Sequence, residues 1–197
     1  IKCVVIPDER SAAFYALGMS QHSTHFVAVV CTSGSAALNY YPAIAESFYQ
    51  SVPMIVITAD RPEEWVNQGD GQTIVQKDVY KNHVLYSETV PEIYQGKVSE
   101  WIIKRIVGEG VSYLKNGKIG PIHYNVPLSD PLYGQEELVL DPMPTLLQKS
   151  ELSVSFSKKQ LNEIQNTWRN STRKMVLIGQ NQPDDQLQSL LNQLSID

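Results

Sequence analysis

Short runs of β-branched and other apolar residues recur along this chain, and most of them are continuously apolar rather than alternating. "KCVVI" (2–6), "FVAVVCT" (26–32), "PMIVITA" (53–59), "PIHYNVP" (121–127) and "KMVLIG" (174–179) read as strands. A strand with one wet face alternates apolar and polar residues. A strand that is apolar throughout is covered on both faces, the usual condition of a parallel sheet. Helix-length stretches lie between the runs. Residues 9–21 set Ala12, Ala13, Ala16 and Leu17 on one face, and "GSAALNYYPAIAESFYQ" (34–50) is a helix broken near Pro42. Residues 97–117 place Val98, Ile102, Ile106 and Val107 at helical spacing, with Gly117 as the stop. This alternation predicts an α/β fold with a doubly wound, mainly parallel sheet.

The proline-bearing stretch 129–157 has no single periodicity and reads as a connection. After it, "KKQLNEIQNTWRNSTRK", "MVLIGQNQ" and "PDDQLQSLLNQL" give helix, strand and helix again. We expect a first domain over 1–140, a linker over 141–156 and the beginning of a second α/β domain over 157–197. Ile1 falls inside or just before the first strand, so the chain is expected to be part of a longer protein.

With 42% hydrophobic and 19% charged residues the chain can bury a core. A net charge of −5 with scattered Lys and Arg excludes a nucleic-acid groove. No run reaches the ~18 apolar residues of a membrane span, and no signal peptide is visible. Cys3 and Cys31 lie in strand-like runs and are expected to be buried free thiols, which fits the cytoplasm. No Cys/His spacing suits a metal. His22, His25, His83 and His123, like Trp65, Trp101 and Trp168, read as structural.

Three polar clusters fall where strands end, the place where open α/β sheets gather ligands. In "PDER", Asp8 as a helix cap with Glu9 in the first turn accounts for both carboxylates. A carboxylate in an apolar, water-poor cleft could instead share a proton with a ligand. In "CTSGSAALN" a tight turn at Gly34 permits close backbone approach, with N–H groups beyond it for an anion or a polar ring. An ordinary Ser/Thr cap is the simpler account. No glycine stands two before Ser33, so this is not a hydrolase elbow. "TADRPEEW" sets Arg61 just past a strand, either as a surface ion pair or as a fork for a carboxylate substrate. The GDG of "NQGDGQTIVQ" opens a diphosphate–metal motif, but the asparagines required further on are replaced by "YQGKVSEW". It is read instead as a loop presenting Gln68 or Gln72.

Taken in order, "DERSAAFYALG", "TSGSAALNYYPAIAES", "ITADRPEE", "GQTIVQ" and "GPIHYNVPLSDPLYG" resemble the N-terminal part of the MenD family. These are the thiamine-diphosphate-dependent synthases of menaquinone biosynthesis, and the resemblance extends to about residue 134. It implies that the first domain is most of a pyrimidine-binding domain without its first strand and loop, and that 157–197 opens the central domain. The Mg²⁺ ligands would then lie in a diphosphate-binding domain outside this chain. The resemblance makes Glu9 the catalytic glutamate, hydrogen-bonded to N1′ of the cofactor's aminopyrimidine. Ala12, Ala13 and Phe14 would form its apolar surroundings, and Ser33 and Gly34 would stand beside the cofactor.

Arg61 and Gln72 would line the substrate side, where 2-oxoglutarate is decarboxylated and the product carbanion adds to isochorismate. "GDGQ" departs from the "GANQ" of many relatives but keeps Gln72. The family's active site lies between subunits, so a dimer or tetramer is implied, and this stretch alone is expected to be inactive. Two other readings remain open. One is an acetolactate-synthase-like decarboxylase or carboligase with the same Glu9 chemistry, against which the ADRP-E and QTIVQ segments speak. The other is a non-catalytic α/β binding module in which Glu9 is only part of a cap.

Overall fold

The computed structural model describes residues 2–23, 25–91, 100–115, 119–129, 155–179, 181 and 183–194. The chain divides into two compact units, residues 1–151 and 152–197.

In the first unit, α1 (Glu9–His22) opens on Asp8, whose side chain accepts the Ser11 N–H. Its small residues Ala13 and Ala16 are buried, which lets the helix sit close to the sheet. Strand β1 (Ala28–Cys31) follows, then α2 (Ser35–Asn39) and α3 (Tyr41–Tyr49). The break between these two helices falls beside Pro42, in the first turn of α3, where its missing N–H costs nothing. β2 (Met54–Asp60), β3 (Tyr86–Thr89), α4 (Glu100–Lys115) and β4 (Pro121–Pro127) follow among the described residues.

The four strands are all parallel, in the order β1-β2-β4-β3, so β4 inserts between two strands that precede it in the chain. Met54, Val56, Thr58 and Asp60 are the buried members of β2 and lie on one face, as strand alternation requires. At the start of that face Met54 and Val56 join Val29, Ala37, Ile44 and Tyr80 in the larger apolar core. On the other face Ile122, Tyr124 and Leu114 pack with Ile55, Ile57 and Ile106. Gly110 lets α4 settle there, because a Cβ at that position would overlap the Tyr124 hydroxyl. Helices thus cover both faces, as the apolar strands predict.

Two predicted strands did not form. Residues 2–6 pair with no described strand, and Val4 and Val5 are 53% and 91% exposed. Residues 174–179 are likewise unpaired, with Met175 and Leu177 open to solvent. Apolar composition makes a strand only where a ladder partner takes up the backbone N–H and C=O groups. Cys3 is therefore exposed, correcting its expected burial, whereas Cys31 is buried; both are free thiols. The sequence reading also passed over β3, whose "YSET" has no apolar run.

In the second unit α5 (Lys158–Asn170) begins with a capping box of Ser157 and Gln160, and α6 is Asp185–Leu194. Among the described residues no helix is long and apolar enough to cross a membrane.

Candidate active site

The carboxyl ends of β1 and β2 carry most of the singled-out residues. Glu9 is the first residue of α1 and is half-buried. Asp8 takes the capping role, and the Ser11 hydrogen bonds hold its carboxyl below the usual range. Glu9 is therefore not needed as a cap. Its carboxylate acts on Cys31, the last residue of β1, and on buried Tyr40. Burial pushes the Cys31 thiol up to about 12; its hydrogen bond with Tyr40 opposes the rise and the Glu9 charge adds to it. The Tyr40 hydroxyl is raised mainly by burial, then by Cys31 and Glu9, and donates to the Val30 carbonyl at 2.6 Å. The Glu9 charge thus reaches two buried groups, Cys31 and Tyr40. Ala13 is buried near the start of α1, and Phe14 is 44% exposed in the chain.

Directly beyond β1, Ser33 and Gly34 are buried. Gly34 is the N-cap of α2 at φ +84°, and no side chain caps the helix, so the simple Ser/Thr cap does not describe this turn. A Cβ on Gly34 would stand 2.9 Å from the Gln72 carbonyl oxygen. The positive φ and that close approach both require glycine. The Gly34 N–H is itself occupied, donating to Gln76 Oε1 at 2.6 Å.

Arg61 is half-buried at the end of β2, with Nε 3.5 Å from Asp70 Oδ2. Gln72 (φ +55°) and Gln68 are exposed on the same loop. The structure therefore brings Gln72 onto the Ser33–Gly34 turn through its backbone, and ties Arg61 to that loop through Asp70. His83 lies apart from this rim, hydrogen-bonded to the Tyr41 hydroxyl at 2.9 Å and packed edge-on to Phe48 and Tyr49.

Beneath the rim runs a buried polar network that the sequence reading missed. Asn125 Nδ2 donates to Asp60 Oδ2 (2.7 Å), and Asn125 Oδ1 accepts from Thr58 Oγ1 (2.8 Å) and Gln76 Nε2 (3.1 Å). Thr58 has given its one proton to Asn125, so it accepts from His123 Nε2–H at 2.8 Å. His123 Nδ1 is then left to accept from Ser87 Oγ at 3.2 Å. This assigns a neutral His123, and burial does lower its pKa to about 4. Asp60 Oδ1 accepts the Arg61 N–H at 2.8 Å, fixing the backbone from which the guanidinium departs. The available signal was the polar pair Thr58 and Asp60 in register with Met54 and Val56 on a strand that otherwise reads as apolar core.

Comparison with known proteins finds a matching family model and similar curated proteins. Residues 1–80 match the thiamine pyrophosphate enzyme N-terminal TPP binding domain. The chain is 41% identical to the 2-succinyl-5-enolpyruvyl-6-hydroxy-3-cyclohexene-1-carboxylate synthase of Christiangramia forsetii, over 98% of this chain and 35% of that protein. It is 39% identical to the synthase of the same name from Desulfotalea psychrophila, over 100% of this chain and 37% of that protein. For the Flavobacterium johnsoniae synthase the identity is 44%, over 90% and 31%. The chain spans about a third of the length of these curated relatives.

Proposed function

We propose that the chain belongs to the thiamine pyrophosphate enzymes, among the 2-succinyl-5-enolpyruvyl-6-hydroxy-3-cyclohexene-1-carboxylate synthases, and supplies the pyrimidine side of such a synthase's active site. Glu9 is its acid–base group. The complete protein would decarboxylate 2-oxoglutarate and transfer the four-carbon unit to isochorismate. The observation that carries this reading is the half-buried Glu9, left free of capping by Asp8, whose charge reaches buried Cys31 at the end of β1, with the buried Ser33–Gly34 turn directly beyond that strand.

The residues present suit thiamine diphosphate. A single carboxylate relieved of capping duty by Asp8 fits a ring nitrogen that must gain and lose a proton, and the buried Ser33–Gly34 turn offers a close backbone wall. When bound, the cofactor supplies the electron sink for decarboxylation of a 2-oxo acid. Glu9 would hold the proton shared with the pyrimidine ring. Arg61 carries the donor fork that suits the carboxylates of both substrates, and its ion pair with Asp70 keeps it at the rim until substrate competes for it. Gln72 lines the same side from the loop. Mg²⁺ ligands are assigned to sequence outside this chain, the assembly to a dimer or tetramer, and the location to the cytoplasm.

The test is Glu9→Gln in the full-length protein. We expect 2-oxoglutarate decarboxylation to fall by about a thousandfold, within the range for a positioned acid–base group, with the fold retained by circular dichroism. Near-normal turnover would overturn the assignment.

A further inference from the structure

Gln76 is 1% exposed, and its amide connects three strand ends. Its Oε1 takes the Gly34 N–H just after β1, while its Nε2 gives one hydrogen bond to the Ala59 carbonyl (2.8 Å) and one to Asn125 Oδ1. Gln76 uses one end to hold the turn and the other to anchor that turn to β2 and β4. The held segment is the left-handed Gly34, against which the Gln72 backbone rests.

We propose that Gln76 is a positioning residue for the cofactor: it fixes the Ser33–Gly34 turn and the seat of Gln72 at the sheet's carboxyl end, so that the pyrimidine meets a preformed wall. This rests on the reading of the site given above. Its physical basis is that Gly34 can adopt many backbone conformations, and a buried N–H without an acceptor must move to find one. Among the described residues Gln76 is the one shown satisfying that N–H, and its own amide nitrogen is held by Ala59 of β2 and Asn125 of β4. Thr58 provides the contrast: it belongs to the same network through Asn125 but makes no bond to the turn.

The experiment compares Gln76→Leu, Gln76→Glu and Thr58→Val in the full-length protein. It measures the dissociation constant for thiamine diphosphate by calorimetry, the Tm of each variant, and hydrogen exchange of the segment containing Gly34. Gln76→Leu should raise the dissociation constant about tenfold or more and deprotect the Gly34 segment. Gln76→Glu keeps an acceptor for the Gly34 N–H and should recover part of both. Thr58→Val should lower Tm by a similar amount and leave cofactor affinity within about twofold of wild type. Equal losses of affinity in Gln76→Leu and Thr58→Val would reduce Gln76 to a structural residue and overturn the inference. So would unchanged affinity in a folded Gln76→Leu. If Gln76→Leu fails to fold, Gln76→Glu decides by the same two readouts: wild-type exchange at Gly34 with affinity lost tenfold overturns the inference. A wild-type protein that binds no thiamine diphosphate would instead overturn the functional reading, and this inference with it.

Discussion

The two faces of the parallel sheet begin alike and end differently. On the face under α4, Ile55, Ile57, Ile122 and Tyr124 are apolar from one end to the other. On the face under α1 and α3, Met54 and Val56 give way to Thr58 and Asp60, and on β4 Pro121 gives way to His123 and Asn125. Thr58, Asp60, His123 and Asn125 are all buried, so the polar half is not a surface that faces solvent. It is a second kind of core, satisfied group by group, and it lies under the rim that carries Gly34 and Arg61. A satisfied polar network adds little net stability, but it admits few alternative arrangements. The apolar face holds the sheet together, while the polar half fixes where the strand ends stand.

The largest test removes bulk from the apolar part on each side. Met54→Ala and Ile122→Ala each delete a fully buried side chain and should destabilise the first unit by about 3 kcal/mol, read from the urea midpoint. Similar losses would show that the two faces are equivalent where both are apolar. A Met54→Ala loss well under half that of Ile122→Ala would break the comparison at its starting point.

The polar half should respond to pH where the apolar face does not. His123 is fully buried against Tyr80 and is hydrogen-bonded to Thr58 and Ser87; the charge that reaches it is Asp78, which only partly opposes the effect of burial. Its pKa near 4, against 6.5 when unfolded, means that the unfolded chain binds a proton between these values while the folded chain does not. Stability from this group is therefore complete above pH 6.5 and declines as pH falls to about 4, by about 3 kcal/mol in all. His123→Gln should flatten that part of the unfolding-versus-pH curve. An unchanged slope in the variant would assign the dependence elsewhere.

These distinctions were only partly legible in the sequence. The boundaries of β2 and β4 were readable to within a residue because each run is mostly apolar or β-branched and bounded by turn residues. The "KCVVI" and "KMVLIG" runs have the same composition but no partner strand among the described residues, and partnership is not a local property. The polar network was hidden for the same reason. Thr58 meets Asn125 and Asp60 meets Asn125 across 67 and 65 residues, through the β2–β4 register that pairs Thr58 with Asn125. Composition and spacing left the neighbours Asp8 and Glu9 as a joint cap, and only the resemblance set Glu9 apart; the Ser11 hydrogen bond shows Asp8 as the cap.

That separation gives the smallest test, because it sets an exposed polar bond against the buried ones. Asp8 accepts a backbone N–H at 2.7 Å, much as Gln76 and Asp60 do, but it does so in solvent, where water competes for both partners. Asparagine caps a helix about as well as aspartate, so Asp8→Asn should leave stability at pH 7 almost unchanged. The difference should emerge only in acid. The Asp8 carboxyl is held below 3.8, so its contribution is present above that value and is lost as pH falls through the lowered folded-state pKa. Asparagine does not titrate, so the variant should keep its cap there and lose less stability than wild type below pH 3.8. A large loss at pH 7 would show instead that the charge at this helix start matters beyond the single hydrogen bond. The pairing with Glu9, one carboxylate capping and the other left for chemistry, would then have to be redrawn.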